Sequence, residues 1–194
     1  ALAYIDASVS AVLSIGLIQI FTLGLLALRG EPITGRHMAR LGLSLVGLYL
    51  LFGLRGDIDI RGVMLIGLGS LLFSIHIVSV QWYLSSYNTW SVTTLLVTSA
   101  SVVVLLLWWI SGGPTHVPGR IGWITIAVQV LVATYIGRIL TYGAIQRIGS
   151  GQFALLSPLE TAMAVLWAVL FLGERQGGIQ WIGTGLILIS ALLA

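Results

Sequence analysis

Residues Gly149–Arg175 read GSGQFALLSPLETAMAVLWAVLFLGER. After a Gly-Ser-Gly opening comes an apolar run long enough to cross a bilayer, which takes about 20 residues. The run carries Pro158 and, near its middle, the carboxylate of Glu160, and it ends on Gly173-Glu174-Arg175. The rest of the chain is built alike. Of 194 residues, 58% are hydrophobic and 8% charged, against about 25% charged in ordinary soluble chains. Such a chain reads as an all-α polytopic membrane protein, because in lipid every backbone amide must be satisfied within its own segment.

Seven apolar runs stand out, at 8–28, 38–54, 63–84, 91–111, 121–144, 152–172 and 178–194. The breaks between them (RGEPITGRH, RGDIDIRG, SSYNTW, SGGPTHVPGR, QRIGSGQ and GERQGG) are short, so successive helices should form antiparallel hairpins. Asp6 is placed to cap the first helix. Trp82, Tyr83, Tyr87, Trp90, Trp108, Trp109, Trp123 and Trp181 gather near run ends, where amphipathic rings anchor in the headgroup layer. Pairs of small residues four apart (Ser10 and Ser14, Ser70 and Ser74, Ala164 and Ala168) let helices approach closely.

Several functions drop out. With no cysteine there is neither a disulfide nor a thiolate metal site. All nine basic residues are arginine, which removes Schiff-base chemistry and with it a retinal protein. The net charge of +3 is spread over short breaks, giving no footprint for nucleic acid. No metal ligand set and no cofactor is expected. The chain opens on Ala1 within apolar sequence, without a charged leader or a cleavage site, so no signal peptide is read.

An internal repeat organises the chain. Shifting it by 143 residues lays Gly30-Glu31 on Gly173-Glu174, Ala11, Leu13 and Ser14 on Ala154, Leu156 and Ser157, and Gly42, Leu43 and Leu45 on Gly185, Leu186 and Leu188. The first copy has Ile15-Gly16 where the second has Pro158-Leu159. The offset contains an odd number of helix steps, so the copies should face opposite ways across the membrane, the pattern of inverted-repeat transporters. The second repeat, 62–194, then pairs with a first repeat of which 1–54 is the end. That first repeat would begin about 80 residues before Ala1, making seven helices of a ten-helix inverted-repeat bundle.

The stretch LSPLETAMAVLWAVLFLGER…GGIQWIGTGLILISALL resembles the end of an EamA domain, of the drug/metabolite transporter superfamily. The family pattern has a proline on the penultimate helix, Gly-Glu at that helix's end and a glycine-rich last helix. ALAYIDASVSAVL…LRGEPITGRHMARLGLSLVGLYLL resembles the end of the preceding domain, without its proline. The resemblance implies two inverted five-helix repeats, cytoplasmic termini and export or exchange of small metabolites. Arginine counts alone tie: Arg29, Arg36, Arg40 and Arg147 on one face, Arg55, Arg61, Arg120 and Arg175 on the other. The close trio Arg29/Arg36/Arg40 favours a cytoplasmic C-terminus. Pro158, Gly173, Glu174, Gly30 and Glu31 are taken as structural markers of the motif.

Ionisable residues inside a span are functional candidates, since a charge at a helix centre costs about 2.5–3.5 kcal/mol or more. His76, Arg138 and Glu160 qualify. Arg138 lies eleven residues before Gly149 and Glu160 eleven after, which places both roughly 16 Å from the turn, near mid-bilayer. Two readings stay open. The pair is a structural ion pair, or Arg138 holds a substrate carboxylate while Glu160 takes a substrate amine or a coupling proton. Helical spacing sets Thr134 or Tyr135 and Tyr142 beside Arg138, and Trp167 beside Glu160. The expected solute site is thus Arg138, Glu160, Tyr142, Tyr135, Trp167 and His76. Pro158 should kink its helix one turn below Glu160.

The leading expectation is a secondary-active transporter, an exporter of small metabolites or amino-acid-like solutes by alternating access, in the plasma (inner) membrane. Its partners are the lipid bilayer and a small-molecule substrate, with room for a homodimer. The alternative is a non-transporting membrane subunit or flippase partner. An intramembrane enzyme fits worst: Ser150 lies at a hairpin turn, His76 at mid-depth and His116 on the opposite face, so no nucleophile meets a base.

Overall fold

The computed structural model describes residues 7–53, 59–112, 119–173 and 176–193, and Asp6, Arg55, His116, Glu174 and Arg175 lie outside them. Among the described residues all regular structure is helical. In order come α1 (Ala7–Leu28), α2 (Gly35–Phe52), α3 (Ile60–Leu84), α4 (Thr89–Ile110), α5 (Arg120–Val128), a π-helical stretch (Gln129–Ile136), α6 (Gly137–Leu172) and α7 (Gly178–Leu192). Among the described residues four runs are long and apolar enough to span a membrane: Val9–Leu28, Ile60–Leu84, Thr89–Ile110 and Arg120–Phe171. The last covers 52 residues and is broken at Gly149, whose φ of 82° and ψ of 159° belong to a region that only glycine enters without strain. α6 therefore has two arms, 137–148 and 150–172.

This break is narrower than the sequence predicts. The composition of QRIGSGQ points to a loop, but Gln146, Arg147, Ser150 and Gln152 are all helical. One glycine in an otherwise forbidden conformation is enough to end one helix and start the next. Pro158 lies buried inside the 150–172 arm, and Gly149 is the only residue of α6 with non-helical dihedrals.

The chain divides into two compact units, Ala1–Ser79 with Gly149–Ala194, and Val80–Ile148. In the first unit the most extensive helix packing is α2 against α7. The two cross at glycines. A Cβ on Gly183 would lie 2.7 Å from both the Gly47 carbonyl oxygen and the Leu51 nitrogen. The Arg40 Nε donates to the Ser190 carbonyl (3.0 Å), and Gln180 Nε2 lies 3.4 Å from the Leu51 carbonyl. Later residues of α2 thus meet earlier residues of α7, and the pair is antiparallel.

α1 runs antiparallel to α2 as well. Val12 and Ile15 pack against the cluster of Leu48, Leu51, Ala162 and Ile187, Gly16 faces Leu45, and Gln19 is bonded to Ser44. α3 lies parallel to α1: the hydroxyls of Ser70 and Ser74 donate to the carbonyls of Ser14 (3.4 Å) and Ile18 (3.2 Å). Those serines are the small-residue pair that allows close approach.

The 143-residue shift carries residues 7, 28 and 35 to 150, 171 and 178, within one residue of the observed helix limits. Gly30 (φ 78°) and Gly173 (φ 69°) end the paired helices in the left-handed conformation that closes many helix C-termini. The same shift, applied with the copies exchanged, turns the Arg40–Ser190 contact into the Gly183–Gly47 contact.

In the second unit Gln146 holds the turn between α3 and α4. Its Nε2 donates to the carbonyls of Leu84 (2.8 Å) and Tyr87 (3.2 Å), and its Oε1 accepts from Thr89 Oγ1 (2.6 Å). Asn88 Oδ1 caps α4 by accepting from the Trp90 amide at 2.9 Å.

Candidate functional site

Arg138 follows directly on the π-helical stretch. Pairing i to i+5 puts an extra residue in each turn, a local change that often marks functional positions. Arg138 is half-buried, Tyr142 is 3% exposed, and the two side chains interact. The spacing of four that joins them was legible in the sequence. Tyr135 turns to α4 instead: its hydroxyl lies 2.9 Å from Thr94 Oγ1 and its ring 6.3 Å from that of Trp90. A pocket of about 660 Å³ adjoins the 137–148 arm, lined by Tyr87, Trp90, Ile139, Gly143, Gln146 and Arg147 among others. Aromatic faces beside an arginine and an amide suit an amphipathic solute.

The remaining expected site residues belong to the first unit. Glu160 is exposed on the 150–172 arm. Trp167, on the same arm, is half-exposed and stacks on Phe171 with centroids 5.2 Å apart. His76 is half-buried on α3, its ring 6.2 Å from Phe73.

The most constrained polar cluster is one that sequence reasoning missed. Arg40, a boundary charge by its place in the sequence, is 0% exposed in the second turn of α2. The helix begins at Gly35 rather than at 38, and the Arg40 side chain packs against α7 and Gln152. Its Nε donates to the Ser190 carbonyl and its Nη1 to Gln152 Oε1, while Ser190 Oγ donates back to the Arg40 carbonyl (2.9 Å). A guanidinium can only donate, so the Gln152 amide must present its oxygen to Arg40. Its nitrogen then faces His37 Nε2, 3.1 Å away. One turn along α2, Ser44 Oγ donates to Gln19 Oε1 at 2.8 Å.

Gln19, Thr22, Arg40 and Ser44 are all fully buried. Among the described residues Gln19 Nε2, Thr22 Oγ1 and Arg40 Nη2 have no hydrogen-bond partner. Each such group costs about 1–3 kcal/mol, more when charged. The signal was present in the sequence as Gln19-x-x-Thr22 and Arg40-x-x-x-Ser44, polar residues at helical spacing within apolar runs.

Residues 60–194 match the model of the EamA-like transporter family. An "Uncharacterized transporter in cobO 3'region" of Sinorhizobium sp. is 32% identical over 80 residues, which cover 41% of this chain and 55% of that protein. The matched stretch thus spans about half the length of this curated relative. A protein of known crystal structure superposes with a TM-score of 0.76 over 97% of this chain and 68% of its own, at 19% identity, a likeness of fold alone. The family match covers well over half of the chain, and the family is one of membrane transporters rather than enzymes: the chain belongs to the EamA-like transporter family.

Proposed function

We propose that the protein is a secondary-active exporter of small, amino-acid-like solutes, working by alternating access in the plasma membrane with its C-terminus in the cytoplasm. Membership of the family over residues 60–194 carries this reading. The antiparallel packing of α2 on α7, with helix limits that repeat at a fixed offset, supports an inverted pair of repeats, 1–54 and 62–194. On that reading the 52-residue run makes two passes. It would measure roughly 78 Å if straight, more than twice the bilayer core.

Arg138, next to Tyr142 on the same helix face, takes the solute's carboxylate, with Tyr135, whose hydroxyl reaches Thr94 on α4, as a further contact. Within the first unit, Glu160 takes a solute amine or the coupling proton, with Trp167 and His76 as further solute contacts. The bilayer and the solute are the partners, and a homodimer is compatible with the design. Reconstituted vesicles test this by counterflow of a panel of labelled amino acids under a pH gradient. Wild-type protein should move at least one of them. The Arg138→Gln/Glu160→Gln double variant, melting as wild type does, should lose at least about tenfold in rate, as removing a charge-assisted contact requires. Undiminished flux through that variant would make both residues structural and sink this assignment.

A further inference from the structure

The twin copy shows what the fold itself needs around Arg40. The 143-residue shift carries Gln19, Thr22, Arg40 and Ser44 onto Ala162, Val165, Gly183 and Ile187. Ala162 and Ile187 are fully buried in an apolar cluster against which Val165 packs. One layer is therefore filled with hydrocarbon and its counterpart with polar groups. Packing does not call for the polar set. Its unpartnered atoms need another explanation.

Those atoms belong to neighbouring turns of the α1–α2 pair, Gln19 level with Ser44 and Arg40 one turn earlier on α2. Because α1 retreats along α2 from the Gln19–Ser44 bond, Thr22, one turn on, comes level with Arg40. The 150–172 arm closes the layer: a Cβ on Gly151 would meet Leu26 at 2.8 Å and Leu23 at 3.7 Å, the neighbours of Thr22 on α1. Gln152, next in the chain, bonds Arg40. Two of the three guanidinium nitrogens are held by neutral acceptors, the Ser190 carbonyl and the Gln152 amide. Arg40 has no carboxylate partner among the described residues, and Arg36, one turn earlier on α2, carries the same charge. The leftover atoms, a guanidinium nitrogen, an amide nitrogen and a hydroxyl, can all donate, which matches an acceptor-only group.

We propose that Arg40, Thr22 and Gln19 form a binding site for an anionic group, a carboxylate or a phosphate, in the first unit. The site stands whether or not Arg138 and Glu160 handle the solute. Its ligand is either a soluble anion or the headgroup of an anionic lipid.

The test is thermal unfolding of the full chain, which is independent of transport. In detergent, the melting midpoint is followed against acetate and inorganic phosphate at constant ionic strength. In nanodiscs, phosphatidylglycerol is compared with phosphatidylcholine. A ligand that binds only the folded state raises the midpoint with concentration. A rise with the soluble anions assigns the site to solutes, and a rise with phosphatidylglycerol alone assigns it to lipid. In either case Arg40→Gln should weaken the apparent affinity by about tenfold or more, and Thr22→Val by about two- to tenfold.

Thr22→Val and Gln19→Ala install the residues that the twin copy already packs, so they decide the matter even where Arg40→Gln does not fold. The proposal is overturned if no anion or lipid moves the wild-type midpoint. It is equally overturned if Thr22→Val and Gln19→Ala respond as wild type does, for then the orphaned atoms are no more than hydrated.

Discussion

Glycine is the residue whose meaning depends most on where it sits. Gly149 occupies φ 82° and ψ 159°, where an added Cβ is strained by about 1–3 kcal/mol. Gly69 lies inside α3, and a Cβ added there would meet nothing within 4 Å. At that position alanine removes only unfolded-chain freedom and should stabilise by about 0.4–1 kcal/mol. Gly149→Ala should therefore lower the melting midpoint and Gly69→Ala raise it, which tryptophan fluorescence can follow. Equal shifts would mean that the Gly149 conformation does not hold the break. The same dependence on place separates the arginines. Arg138 stood out because it sits in mid-run, whereas Arg40 lies near a boundary, and its burial comes from packing against α7 and Gln152, which the sequence does not reveal.

Among the helices, hydropathy and short polar breaks were enough to predict an all-helical chain and where its helical runs lie, since a membrane leaves the backbone little choice; among the described residues four runs, against the seven expected, are long and apolar enough to span one. The run 63–84 and α3 (Ile60–Leu84), or 91–111 and α4 (Thr89–Ile110), differ by a few residues at most. Two features were not legible. The π-helical stretch Gln129–Ile136 carries no glycine or proline to announce it. The residues around Gly149 look like loop formers but are helical, because their dihedrals are ordinary and the Gln146 and Gln152 side chains are bonded. Glycines that mark the repeat are also not those that pack. Gly42 and Gly185 face open space, whereas Gly47 and Gly183 set the α2–α7 approach. Gly183→Ala puts a methyl 2.7 Å from backbone on the facing helix and should cost about 1–3 kcal/mol as overpacking. Gly185→Ala, on the same helix, should be neutral or slightly stabilising. Melting curves of the two variants check the crossing, and a harmless Gly183→Ala would refute it.

The chain as a whole carries its orientation in the α2–α7 pair. α2 and α7 are antiparallel, so their N-terminal ends point opposite ways. The turn before α2 holds Pro32, and the residue before α7 is Gly177, both exposed. If these helices cross the bilayer, the two positions lie on opposite sides of it. A cytoplasmic C-terminus, with short breaks alternating between faces, assigns Pro32 to the cytoplasm and Gly177 to the outside. The absence of cysteine from the sequence makes the test direct, since each variant carries one thiol on an unaltered background. Gly177 has φ −72° and ψ 158°, which any residue adopts, so Gly177→Cys adds no backbone strain. A membrane-impermeant maleimide should label Gly177→Cys on intact cells, and Pro32→Cys only after lysis. The reverse pattern would keep the inverted repeat and turn the protein over. Labelling of both from one side would mean that α2 and α7 do not cross the membrane in opposite directions, and the inverted repeat would fall with them.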